Sequence, residues 1–157
     1  MIGISIRFPG GRFHATPWGR HVNEAAPEWP PSPWRILRAF IATWKRKLND
    51  DTMCNSKVVE SLLHKLASPP MFVLPPASIS HTRHFMPGPT DRTLVLDGFV
   101  VMDKTNPVIC LWSETKLEPQ EHLALGILAS NMNFLGRSES WTDVRMLTDN
   151  EAASAQG

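Results

Sequence analysis

The sequence predicts an α+β protein: an antiparallel sheet with its helices on one face, built in the order β-α-β-β-α-β. Three observations predict it. Ile2, Ile4, Ile6 and Phe8 alternate with Gly3, Ser5 and Arg7, the period of a half-buried strand. Segment 34–48 spaces its apolar residues 3, 4, 3 and 4 apart as a helix does, and a later helix is read from Glu118-Pro119 to Gly136. Segments 71–74, 94–102, 108–112 and 141–147 have strand length, the first bounded by prolines and the third preceded by the turn signal Asn106-Pro107.

Taken in order, the first strand ends at Pro9-Gly10-Gly11, and residues 12–31 form a long connection rich in Pro, Trp, His and Arg. Ser32 as N-cap and Pro33 at the first helical position open a helix whose apolar stripe is Trp34, Leu37, Ile41, Trp44 and Leu48. Asn49-Asp50-Asp51 stops it, and Val59, Leu62, Leu63 and Leu66 mark a second helix, ended by Ser68-Pro69-Pro70. Met71–Leu74 reads as a strand and Ile79–Met86 as an extended piece. Leu94–Met102 reads as a strand bulged at Gly98, turning at Asn106-Pro107 to pair with Val108–Trp112. A helix from Glu118-Pro119 carries Leu123, Ile127, Leu128 and Leu135 and closes at Gly136, and a last strand spans Trp141–Leu147. This order is the ferredoxin-like split βαβ, with the second sheet face left free. Residues 1–148 form one domain, and 149–157 (DNEAASAQG in full) a frayed polar tail.

At 157 residues, with 42% hydrophobic and 20% charged, the chain has globular composition, and no run approaches the roughly 18 apolar residues of a membrane span. The start lacks the pattern of a signal peptide, so a cytoplasmic protein is expected. Cys54 and Cys110 stand far apart in no CxxC and read as free thiols. There are 14 Pro and six Trp but no Tyr. The net charge is +1, yet residues 1–47 hold eight Lys and Arg against two Glu, a net +6. A basic N-terminal third suggests a polyanion contact, with solvated surface charge as the alternative.

The 12–31 connection interleaves Arg12, His14, Trp18, Arg20, His21 and Trp29. RNA recognition needs that mixture of cations for phosphate and flat groups for unstacked bases. The same residues read equally as packing, with Trp18 and Trp29 holding the loop to the domain. His14 and His21, beside Arg12 and Arg20, are the residue types that metal-independent RNA cleavage needs, with one imidazole as base and one as acid. His81 and His84 form HxxH, but a third ligand is missing and an extended backbone points the two to opposite faces, so no metal site is expected. Arg137 and Ser138 follow Gly136 and could hold a phosphate. No GxGxxG, GxxxxGK[ST], HExxH or GxSxG occurs, so no small-molecule cofactor is expected.

Five segments together carry a resemblance: IRFPGGRFHATPWGRHVNE (6–24), EWPPSPWRILRAFIATWKRK (28–47), HTRHFMP (81–87), LVLDGFV (94–100) and LGRSESW (135–141). They resemble the N-terminal part of the CRISPR-associated subunit of type I-U, or I-G, effector complexes. That subunit fuses two RAMP modules, a handle-binding subunit and a crRNA endoribonuclease. The resemblance implies a RAMP domain of ferredoxin-like fold that binds the repeat-derived handle of crRNA and joins the other subunits of a type I effector complex. Family members are much longer, and the resemblance places their endonuclease-like module beyond this sequence. On this reading Arg7, Arg12, Arg20, Arg35 and Arg38 contact phosphates and Trp18 stacks or wedges. His81, Arg83 and His84 touch the handle, and Arg137 and Ser138 complete a phosphate site. Two alternatives remain: a metal-independent endoribonuclease maturing pre-crRNA through His14 and His21, and a module acting only in protein–protein assembly.

Overall fold

The computed structural model describes residues 1–88 and 91–156, the side chain of Val22 apart. In chain order the elements are β1 (Ile2–Arg7), β2 (Arg12–Phe13), a 3-10 turn (Val22–Glu24), α1 (Pro33–Lys47), α2 (Ser56–Leu66), β3 (Met71–Val73), β4 (Ala77–Pro87), β5 (Arg92–Met102), β6 (Val108–Trp112), α3 (Pro119–Ser130), β7 (Asp143–Met146) and α4 (Asp149–Gln156). None of the described helices is long and apolar enough to cross a membrane.

The alternation read in β1 decides the centre of the fold. Ile4 and Ile6 are fully buried on the face toward α1, α2 and α3, where Phe40, Leu62, Leu66, Leu125 and Leu128 complete the core. β1 pairs antiparallel with β6 on one side and β7 on the other, and β3 pairs with β6. The sheet order β3-β6-β1-β7, with antiparallel neighbours and helices in both crossovers, is the ferredoxin-like arrangement. The helices begin as their caps dictate: Ser32 Oγ accepts from the Arg35 amide at 3.3 Å and Asn55 Oδ1 from the Val58 amide at 3.2 Å.

Strand Arg92–Met102 differs from its expected place. Both edges of β6 are taken by β1 and β3, so β5 pairs instead with β4, residue for residue from Ala77↔Met102 to Pro87↔Arg92. With β2 they form a second sheet, β2-β5-β4. The register passes unbroken through Gly98, so there is no bulge. Gly98 is needed because the chain crosses above it: a Cβ there would lie 2.4 Å from the Ala25 carbonyl oxygen. Val100 and Met102 anchor the base of this hairpin in the core, while residues 81–87 and 92–94 are exposed.

Helix α1 keeps part of the expected stripe, since Trp44 is buried and Leu37 and Leu48 pack against the core, and turns the rest outward. Ile36, Phe40, Thr43 and Trp44 are buried, whereas Trp34 is 59% and Ile41 38% exposed. Helix α3 ends at Ser130 rather than Gly136, because Asn131 caps it and Leu135 is buried from the loop beyond. Leu123 on α3 is exposed, and the residues that pack are Ala124, Leu125, Leu128 and Ala129. The buried Glu121 is satisfied by Lys65 Nζ and Ser61 Oγ, both at 2.6 Å.

The tail expected to fray is helix α4 over residues 149–156, and Gly157 lies outside the described residues. Its Ala152 packs with Leu111 and Leu147 on the sheet face away from the other helices, so that face is partly covered rather than free. Arg145 and Thr148 both bind the Glu151 carboxylate, which fixes the first turn of α4.

If the core lies where α1 and α3 place it, Phe40→Ala costs about 3–5 kcal/mol. Leu123→Ala stays within about 0.5 kcal/mol. Urea denaturation of the two variants measures both; equal losses would return Leu123 to the core.

Candidate functional site

β2 is too short to hold its own position, and a join with the loop 136–140 holds it. The His14 amide donates to Ser140 Oγ at 2.8 Å, and the Arg137 amide donates to the His14 carbonyl at 2.8 Å. Inside the loop, Ser140 N–H donates to the Arg137 carbonyl at 2.9 Å and Leu135 N–H to the Ser140 carbonyl at 3.1 Å. Gly136 makes this approach possible. Its φ is +87°, and a Cβ there would meet the His14 carbonyl oxygen at 2.5 Å.

The join aims a set of side chains onto the outer face of the second sheet. Paired residues share a face, so Arg12 lies with Val101 and Phe99, and Thr82 with Asp97. The Arg12 guanidinium stands 5.5 Å from the Phe99 ring centre, and the His14 ring packs on the same phenyl at 6.4 Å. Asp97 meets two basic side chains, Arg137 at 3.4 Å and His84 at 3.7 Å. Such long pairs leave donors of both groups for a further anion.

His14 is buried, and its Nδ1 lies 2.7 Å from Glu139 Oε1. A carboxylate only accepts, so the proton sits on Nδ1. Burial acts to raise the Glu139 pKa, but its own amide, the His14 ring and the Arg137 charge outweigh it and hold the carboxyl below its ordinary 4.5.

The structure thus brings Arg12, His14, His84 and Arg137 together, with Ser138 exposed on the same loop. It does not gather the remaining residues there. His81 and Arg83 alternate to the other face of β4. Arg7, at the end of β1, pairs with Asp143 on β7. Arg20 pairs with Glu24 four residues on, and His21 is exposed at the start of the 3-10 turn. Arg35 is spent inside the protein, on Glu28 at 2.8 and 3.1 Å and on the Thr16 carbonyl at 2.8 Å. Trp18 and Arg38 line a different groove, beside α1. The five arginines expected to grip one strand are therefore divided among separate surfaces.

Sequence reasoning missed Phe99, Asp97, Glu139 and Ser140. Glu139 and Ser140 stand inside the hydroxyl-rich LGRSESW segment that had drawn notice, whereas Phe99 and Asp97 read as ordinary strand residues.

No family model matches the chain, and no curated protein matches it by sequence. Among solved structures it is similar to a Cas6 product complex, with TM-score 0.43 and 16% identity over 92% of this chain and 51% of that one. It is also similar to Cas6 of Thermus thermophilus, with TM-score 0.42 and 15% identity over 92% of this chain and 53% of that one. The chain spans about half the length of both.

A carboxyl held below its ordinary pKa stabilises the fold above that ordinary value, and the contribution is lost as pH falls through the folded-state value. Glu139→Gln should therefore be less stable than the parent at pH 7, with the gap closing as pH drops below about 4.5. Guanidinium melts across that range measure it; a gap that stays constant in acid would mean the carboxylate is not its source.

Proposed function

We propose that the chain is a crRNA-binding subunit of a type I CRISPR effector complex, holding the repeat-derived handle on the outer face of the second sheet. One observation carries the reading: Arg12 stands over the Phe99 ring, and Arg137 and His84 meet Asp97 two residues away on the same strand. Basic side chains beside a half-buried flat ring suit phosphates flanking an unstacked base. The five-segment resemblance supplies the identity of the RNA. Asp97 keeps Arg137 and His84 in place when no phosphate is bound and is outcompeted by a closer, charge-assisted contact.

A second reading, cleavage of pre-crRNA, is favoured by the His14–Glu139 pair. Glu139 fixes the ring through Nδ1, which directs Nε2 to take the 2′-hydroxyl proton. The 2′-oxygen then attacks phosphorus, the 5′-oxygen leaves with a proton from an acid, and a 2′,3′-cyclic phosphate remains. The burial of His14 favours binding over this chemistry. Cyclic-phosphate ends formed in EDTA by the parent but not by His14→Ala would establish cleavage.

For the binding reading, repeat RNA should shift in a gel at lower protein concentration than scrambled RNA. Arg12→Ala and Arg137→Ala should each weaken binding and reduce the log–log salt slope by roughly 0.7, the share of one single-strand phosphate. Equal binding of scrambled RNA would remove the reading.

A further inference from the structure

On the other side of the His14–Arg137 join lies a groove of about 460 Å³ along α1. That falls in the roughly 300–1,000 Å³ range of ligand clefts. We propose that it is a second nucleic-acid subsite, which takes unpaired bases and phosphates of a single strand. The proposal rests on the RNA-binding reading above and extends it to a surface that the handle face does not include.

The groove follows the side of α1 that is turned outward. Trp34, Arg38, Ala42 and Arg46 recur every four residues, so they form one row beside the buried face. At 1.5 Å per residue, Arg38 and Arg46 stand about 12 Å apart along the axis. Ala42 between them is too small to fill the gap, which opens the groove. The far wall is the join itself: Trp18 comes from the chain after His14, and Phe134 from the chain before Gly136.

Charge and ring exposure together select the occupant. Neither Arg38 nor Arg46 pairs with a carboxylate among the described residues. The one acidic residue lining the groove, Glu28, is held by Arg35. Trp18 is 85% exposed, Trp34 59% and Phe134 43%. Three flat faces open to water beside two free guanidinium groups match alternating bases and phosphates. A duplex hides its base faces, so the ligand is a single strand. An acidic peptide would satisfy the cations and leave the rings unused.

The test uses the full chain, a fluorescently labelled single-stranded repeat RNA, and the same RNA carrying 4-thiouridine for photo-crosslinking. Trp34→Ala should weaken binding roughly tenfold, one stacked base. An Arg38→Ala, Arg46→Ala double variant, which touches only exposed side chains, should lower the salt slope by about 1.4. Crosslinks should fall on Trp18, Trp34 or Phe134. If the parent binds RNA but both variants match it, or all crosslinks lie on the second sheet, the groove proposal fails and the handle reading stands. If the parent binds no RNA, both fail. Displacement of RNA by poly-glutamate as effective as by unlabelled RNA would also overturn it, since the groove would then read charge alone.

Discussion

Everything on the functional side of this protein depends on the join between His14 and the loop 136–140. The two sheets share no strand. β2 belongs to one, and the loop leads into β7 of the other, so the bonds between residue 14 and residues 137, 139 and 140 fix one sheet against the other. Buried Phe13 and Leu135 flank it, and Gly136 lets the two backbones touch. Each partner then aims outward in both directions. Arg12 and Arg137 reach one surface, while Trp18 and Phe134 reach another.

Much of the scaffold was legible because its signals are local. Period two in Ile2–Phe8 placed the central strand. The cap at Ser32 marks where α1 begins, and Pro69-Pro70 marks the end of the second helix, whose own cap, Asn55, went unread. The face of α1 was misread for a physical reason. An apolar count treats Trp34, Ile41 and Trp44 alike, but only the side of the helix that meets the other elements is covered: Trp44 is buried with Ile36 and Phe40, whereas Trp34 faces the groove and Ile41 is partly exposed. The pairing of β5 was not legible at all, since strand partners depend on which edges other strands have already occupied.

The site was legible in its residue types and not in its grouping. A net +6 over residues 1–47 counts cations without counting the carboxylates that meet them. Glu28, Glu24 and Asp143 take Arg35, Arg20 and Arg7 out of use, and Asp143 comes from far along the chain. What remains is fewer cations than composition suggests, with Arg12 beside the Phe99 ring and Arg38 and Arg46 along the groove that Trp18 and Trp34 line. Helix α4 was hidden for a similar reason: its residues are small and polar, and what favours a helix there is tertiary, Ala152 and Ala155 meeting Leu111 and Leu147 and Arg145 holding Glu151.

The β4–β5 hairpin is rooted in the core at Val100 and Met102 and stands in solvent from residues 81 to 87 and 92 to 94. Its root and its outer half therefore carry different structural constraints. Insertions, deletions and changes of composition in the outer half leave the folded core untouched. That half can take another length or surface while the root stays fixed.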